Sequence, residues 1–180
     1  MKTLIVIDMQ NDFVTGPLGT PEARAIVPNI KKKIEFYKKL NYKQKTQIIF
    51  TQDSHSINYG NDEFLIEEKK VPKHCITGTP GWCIIDELFP YSIDTIQKET
   101  FGVVAKWVSL RMEDNDEDSS IQIVGVCTDI CVISNALILR AMYPNIPIYV
   151  DAGCCAGTTP EKHKAALEMM KSCCIEVINE

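Results

Sequence analysis

The stretch IQIVGVCTDICVISNALILRAM, residues 121–142, changes its period part-way along. IQIVGV (121–126) is a short apolar run rich in β-branched residues, which reads as a buried strand. TDICVISNALILRAM (128–142) repeats apolar residues three and four apart, which reads as a helix. Cys127 falls at the junction, and Cys131 falls one turn beyond it. A strand passing directly into a helix is the unit from which α/β folds are built. Five more apolar runs lie on either side: TLIVID (3–8), TQIIFTQ (46–52), IDTIQK (93–98), IPIYVDA (146–152) and IEVIN (175–179). Several are continuous rather than alternating, as expected of strands covered on both faces of a parallel sheet. Two further helical patterns span 21–40 and 160–173. Each opens on Thr-Pro-Glu, with a capping hydroxyl, a proline suited to the first helical position and an acid that complements the helix dipole. Pro28 interrupts the first pattern and predicts a kink or an early stop. There is no internal repeat and no low-complexity linker. The expected fold is one α/β domain over residues 1–180. It is a doubly wound, six-stranded, mostly parallel sheet with helices on both faces and mainly right-handed crossovers.

Composition narrows the function classes. Acidic residues outnumber basic ones 24 to 19, and the formal charge of −5 argues against a nucleic-acid partner and supplies no basic patch for a membrane. No apolar run is long enough to span a bilayer. Asp8 interrupts the N-terminal apolar stretch too early for a signal peptide. The expectation is a cytoplasmic protein with a small-molecule partner, neither nucleic acid nor membrane, with homo-oligomerisation left open. Eight cysteines are then expected to be reduced, most of them as small core residues. None forms a CxxC pair. The acidic run EDNDEDSS (113–120) reads as a solvated loop. Residues 53–91 show little regular pattern, which in a compact domain often marks a functional segment.

In open α/β sheets the ligand site lies beyond the carboxyl ends of the strands. Asp8 ends the first run, with Gln10, Asn11 and Asp12 just beyond it. Asp53 and His55 follow the second run, Lys98 ends the third, and Cys127 and Cys131 follow the fourth. A cysteine in the first turn of a helix, here with Thr128 as the expected cap, is favoured as a thiolate by the helix terminus and by a nearby cation such as Lys98. Asp8 could take the thiol proton. The backbone N–H groups of Cys127 and Cys131 could form an oxyanion hole. Taken singly, a strand-end aspartate is more often a turn residue, a strand-end lysine is usually solvated and a cysteine usually packs. All three at adjacent strand ends favour chemistry. Asp53, His55 and His74 offer carboxylate and imidazole donors suited to zinc, iron or manganese. From spacing alone, surface-turn residues are the commoner explanation of that trio. Phe13, Trp82 and Phe101 are the aromatics placed to wall a substrate pocket, Phe13 best of the three. His163, in the last helix, reads as a surface residue.

IVIDMQNDF (5–13), the lysine of IQKETFG (96–102) and GVCTDICV (125–132) together resemble the signatures of the isochorismatase-like cysteine hydrolases, a superfamily that includes nicotinamidases. The resemblance runs over nearly the whole chain, including HCITGTPGW (74–82) and VDAGCCAGTTPEKHKAAL (150–167). It implies an Asp8–Lys98–Cys131 triad with Cys131 as the nucleophile, and a cis peptide at Val126–Cys127. It also implies an oxyanion hole from the Cys127 and Cys131 amides. Nicotinamidases hold a divalent metal near the substrate pyridine nitrogen. The matching residues here are Asp53, His55 and His74, with Glu67 as a fourth ligand. A further histidine that some nicotinamidases carry between His55 and His74 is absent. The resemblance implies no organic cofactor. The activity it implies is hydrolysis of a small amide, nicotinamide first, with other amides or ureido compounds as rivals. Isochorismate ranks lower, because vinyl-ether hydrolysis needs no cysteine nucleophile. Two readings from other classes stand beside it: a thiol redox or metal sensor built on Cys127 and Cys131, and a catalytically silent binding protein.

Overall fold

A computed structural model describes residues 1–41, 45–58, 71–103, 107 and 118–180. Six strands, β1 (Lys2–Ile7), β2 (Thr46–Asp53), β3 (Thr95–Lys98), β4 (Ser120–Val126), β5 (Ile148–Ala156) and β6 (Glu176–Ile178), form one sheet in the order β3-β2-β1-β4-β5-β6. Every pairing is parallel. Among the described residues the α-helices are α1 (Asn11–Val14), α2 (Pro21–Leu40), α3 (Ile133–Met142) and α4 (Pro160–Ser172).

Side-chain alternation along the inner strands builds two cores. Leu4 and Val6 of β1 and Val124 and Val126 of β4 face α2, packing with its Ile26, Ile30, Ile34 and Tyr37. Ile5, Ile7, Ile121 and Ile123 point the other way, onto Leu139 of α3 and Leu167 and Met170 of α4. A sheet covered on both faces explains why these strands read as unbroken apolar runs. The Oγ of Thr20 accepts from the Ala23 N–H at 3.0 Å and caps α2. Thr159 accepts from Lys162 and caps α4. Pro28 neither stops nor shortens α2, which runs on to Leu40. It lies on the exposed face, where a carbonyl left without its helical N–H can be solvated at little cost.

The strand order reverses between β1 and β4. One neighbour's connection leads toward β2 and β3, the other's toward β5 and β6, so a crevice opens at the carboxyl ends of this pair. Gly125 is what lets β4 lie close there: its φ is +121°, and a Cβ would overlap the Ile7 carbonyl.

Candidate active site and metal cluster

Four consecutive strands deliver one polar group each to that crevice. Lys98 ends β3 and pairs in register with Asp53, which ends β2. Asp8 follows β1, and Cys127 follows β4. Lys98 Nζ lies 2.8 Å from Asp8 Oδ2, 3.0 Å from Asp53 Oδ1 and 3.6 Å from Cys131 Sγ. All four side chains are buried. Asp8 adopts φ +48°, a region that non-glycine residues rarely occupy. Thr51 holds it there, since its hydroxyl accepts from the Asp8 N–H at 3.1 Å and donates to Asp8 Oδ1 at 2.7 Å.

Burial dominates the electrostatics. It raises the Asp8 carboxyl above the usual range, against the opposing charge of Lys98. Burial disfavours charge on Lys98 as well, but Asp8, Cys131 and Asp53 hold its ammonium well above the ordinary lysine value. Burial raises the Cys131 thiol well above its usual value; Lys98 opposes this, while Asp8 and Asp53 reinforce it. Burial thus works against the thiolate that a helix terminus would favour at Cys131, and Lys98 is the group that works for it. Cys127 is pushed up to about 12, first by burial and then by Asp129 and Asp8.

The start of the helix also differs from expectation. Thr128–Val132 is a π-type turn that runs into α3, and its flanking residue Cys127 makes no side-chain cap. The Val126–Cys127 peptide is cis. The Cys127 carbonyl accepts from the N–H groups of Ile130 and Val132, which steps over Cys131. Single π turns recur at functional sites. Thr128 does not cap, because its hydroxyl is taken by His163 Nδ1 at 2.8 Å. His163 is accordingly half-buried rather than a surface residue. Asp129 accepts from the Thr158 N–H and hydroxyl at 2.8 and 2.6 Å, tying the turn to the loop before α4.

A cavity of about 330 Å³ lies over Cys131. Phe13, Phe101, Ile130 and Pro72 are among its walls, and Asp53, His74 and Cys127 also border it. Trp82, expected as a wall, is not among the residues that line it. Its indole N–H donates to Ser54 at 2.8 Å and its carbonyl accepts from Gln10 and Gln52, so it serves the scaffold.

Asp53, His55 and His74 converge beside this cavity. Asp53 Oδ2 lies 2.8 Å from His55 Nε2 and 3.1 Å from His74 Nε2. His74 Nδ1 donates to the Pro72 carbonyl at 2.7 Å, which orients the ring with Nε2 facing the Asp53 carboxylate. Burial raises Asp53, but hydrogen bonds from His55 and His74 and the charge of Lys98 outweigh it and hold the carboxyl well below the usual range. Two imidazole nitrogens and an ionised carboxylate oxygen form a donor set that fits a divalent transition ion. A second-side hydrogen bond such as that from His74 to Pro72 typically orients such a ligand. Glu67, expected as the fourth ligand, lies outside the described residues.

Two buried amides support the site: Gln10, placed from the sequence only as a residue beyond β1, and Asn135, which no sequence expectation included. Gln10 pairs with the main chain of Asp53: its Nε2 donates to the Asp53 carbonyl at 2.8 Å and its Oε1 accepts from the Asp53 N–H at 2.7 Å. Asn135 donates to the carbonyls of Cys131 and Phe101 and accepts from Val103 N–H and the Trp107 indole. An asparagine inside the apolar helix ISNALIL was the available signal, since a buried amide needs partners.

The isochorismatase domain family matches residues 2–180. The chain belongs to that family. The nicotinamidase/pyrazinamidase of Mycobacterium tuberculosis is 27% identical, over 99% of this chain and 98% of its own. The structure of a Pyrococcus horikoshii pyrazinamidase in complex with zinc superposes with a TM-score of 0.76 at 27% identity, covering 99% of each chain. An Arabidopsis thaliana relative described as a probable inactive nicotinamidase is 29% identical over 94% of this chain and 87% of its own. Membership alone therefore does not confer activity, and the residues present must carry it.

Proposed function

We propose that the protein is a cysteine-dependent amidohydrolase acting on a small neutral aromatic amide, with nicotinamide as the best candidate. The observation that carries this reading is the contact of one ammonium, Lys98, with both Asp8 and Cys131 beneath a largely apolar cavity. Cys131 Sγ attacks the amide carbonyl carbon as its proton passes to Asp8. The developing oxyanion is received by the Cys127 and Cys131 amides, the second of which the π turn steps over. Asp8 returns the proton to nitrogen, the C–N bond breaks and ammonia leaves a thioester. Water then gives a proton to Asp8 and attacks the thioester. The C–S bond breaks, the acid departs and Cys131 recovers its proton. Lys98 keeps the buried carboxylates neutralised throughout.

Asp53, His55 and His74 would hold a divalent ion, which supplies a Lewis-acidic position for a ring nitrogen and so helps to orient the amide. The zinc complex of the Pyrococcus relative and the donor set here support that assignment. Among the described residues lining the cavity there is no lysine or arginine, which disfavours a dicarboxylate such as isochorismate.

The test is ammonia release from nicotinamide, benzamide and a ureido acid. Nicotinamide should be hydrolysed fastest, and benzamide, which lacks the ring nitrogen, should suffer most. Cys131→Ala should abolish turnover, while Cys127→Ala retains it, because that position acts through its backbone. Hydrolysis of nicotinamide by Cys131→Ala would refute the mechanism. Equal rates on nicotinamide and benzamide would refute the role given to the ion.

A further inference from the structure

Asp12 lies beside the site but touches neither cavity nor cluster. Its Oδ2 accepts from the Cys75 N–H at 2.7 Å. Cys75 is buried, with φ +48°, where a Cβ is disfavoured and only an external restraint holds a non-glycine residue. Its carbonyl accepts from the His55 N–H at 3.0 Å, and it follows His74 directly in the chain. Cys75 is thus a main-chain hub between both imidazole ligands, and one carboxylate anchors it. Gly81 seals the anchor from behind, since a Cβ there would overlap the Asp12 carboxylate.

Resting on the metal reading above, we infer that Asp12 is a positioning residue for the metal cluster: it holds Cys75 in the left-handed conformation that sets His55 and His74 at ligating distance from Asp53. The carboxylate acts through backbone geometry and not through its charge. This separates it from Gln10, which fixes the third ligand by pairing with the main chain of Asp53.

The experiment measures zinc affinity of chelator-stripped protein by competition with a chromophoric chelator. Far-UV circular dichroism confirms the fold, and alkylation at Cys131 reports the triad independently. Asp12→Ala should weaken zinc binding at least tenfold and leave the Cys131 alkylation rate unchanged. Asp12→Asn, which keeps an acceptor oxygen without the charge, should fall between Asp12→Ala and the wild type. Gly81→Ala, which pushes on the same carboxylate, should also weaken zinc binding. The deciding variant is Cys75→Gly in the Asp12→Ala background. Glycine adopts positive φ without penalty, so affinity should recover several-fold, whereas Cys75→Ala in that background should not recover it. Equal losses in Asp12→Asn and Asp12→Ala with no rescue by glycine would show a charge effect and overturn the inference. Unchanged affinity in Asp12→Ala would also overturn it while leaving the metal cluster in place. Absence of stoichiometric zinc binding by the wild type would overturn both.

Discussion

Lys98 has three partners in the site, Asp8, Asp53 and Cys131. Removing its charge strands two buried carboxylates, a change that costs about 3–5 kcal/mol for a broken buried pair. Lys98→Met is therefore expected to lower the urea midpoint substantially. Where it remains folded, the Cys131 thiol loses the cation that opposed its upward shift, so its pKa rises further. At fixed pH the alkylation rate at Cys131 should fall, and its pH profile should move upward. An unchanged profile, measured by peptide mapping, would remove Lys98 from the activation of the thiol. Counting apolar runs places Asp8, Asp53, His55, Lys98 and Cys131 at or just beyond strand ends, whereas the metal reading of Asp53, His55 and His74 rests on the family resemblance. The sequence could not show Thr51 or Gln10 as their supports, because each reaches its partner across 43 positions of chain. Burial was the other unread quantity, and it opposes the thiolate expected at a helix terminus.

Between elements, two junctions carry the site. The first is Asn135, which links the turn at Cys131 to the segment that follows β3. Asn135→Leu keeps the volume but leaves the Val103 N–H and the Trp107 indole buried without an acceptor, at a cost of about 1–3 kcal/mol each. Chemical denaturation should show a loss of several kcal/mol, against far less for exposed positions on α3. The second is the link between α4 and the π turn through His163. Burial lowers the His163 pKa below its ordinary value, although Asp129 pulls the other way. A histidine whose folded pKa is depressed stabilises the fold fully above about 6.5, its unfolded value. It forfeits that contribution as pH falls through the folded value. Between pH 7 and pH 5 the melting temperature of wild type should therefore drop further than that of His163→Gln. Parallel slopes in the two would exclude the linkage. Helix limits and strands were legible as periodicity. The π turn and the Thr128–His163 contact were not, because a hydroxyl near a helix start reads as a cap until a competing partner is known.

Across the whole molecule, the sheet and its two cores follow from composition and period, as the continuous runs 3–8 and 121–126 show. The meeting of four strand ends follows from the strand order, which no local pattern prints. No described helix is long and apolar enough to cross a membrane. If a metal binds only the folded state, zinc at a hundred times its dissociation constant should raise stability by about 2.7 kcal/mol, and a chelator should reverse the shift. One feature of the architecture bears on how the protein fails. β3 has four residues and, among the described residues, stands at the outer end of the sheet with β2 as its one strand neighbour, and its last residue is Lys98. Marginal strands open by themselves, at a free energy below that of global unfolding. Each such opening withdraws the ammonium while the inner strands stay paired. Turnover should consequently disappear at a lower urea concentration than far-UV circular dichroism, and return on dilution. In that case activity is a thermometer of one short ribbon, and the bulk of the fold outlives it.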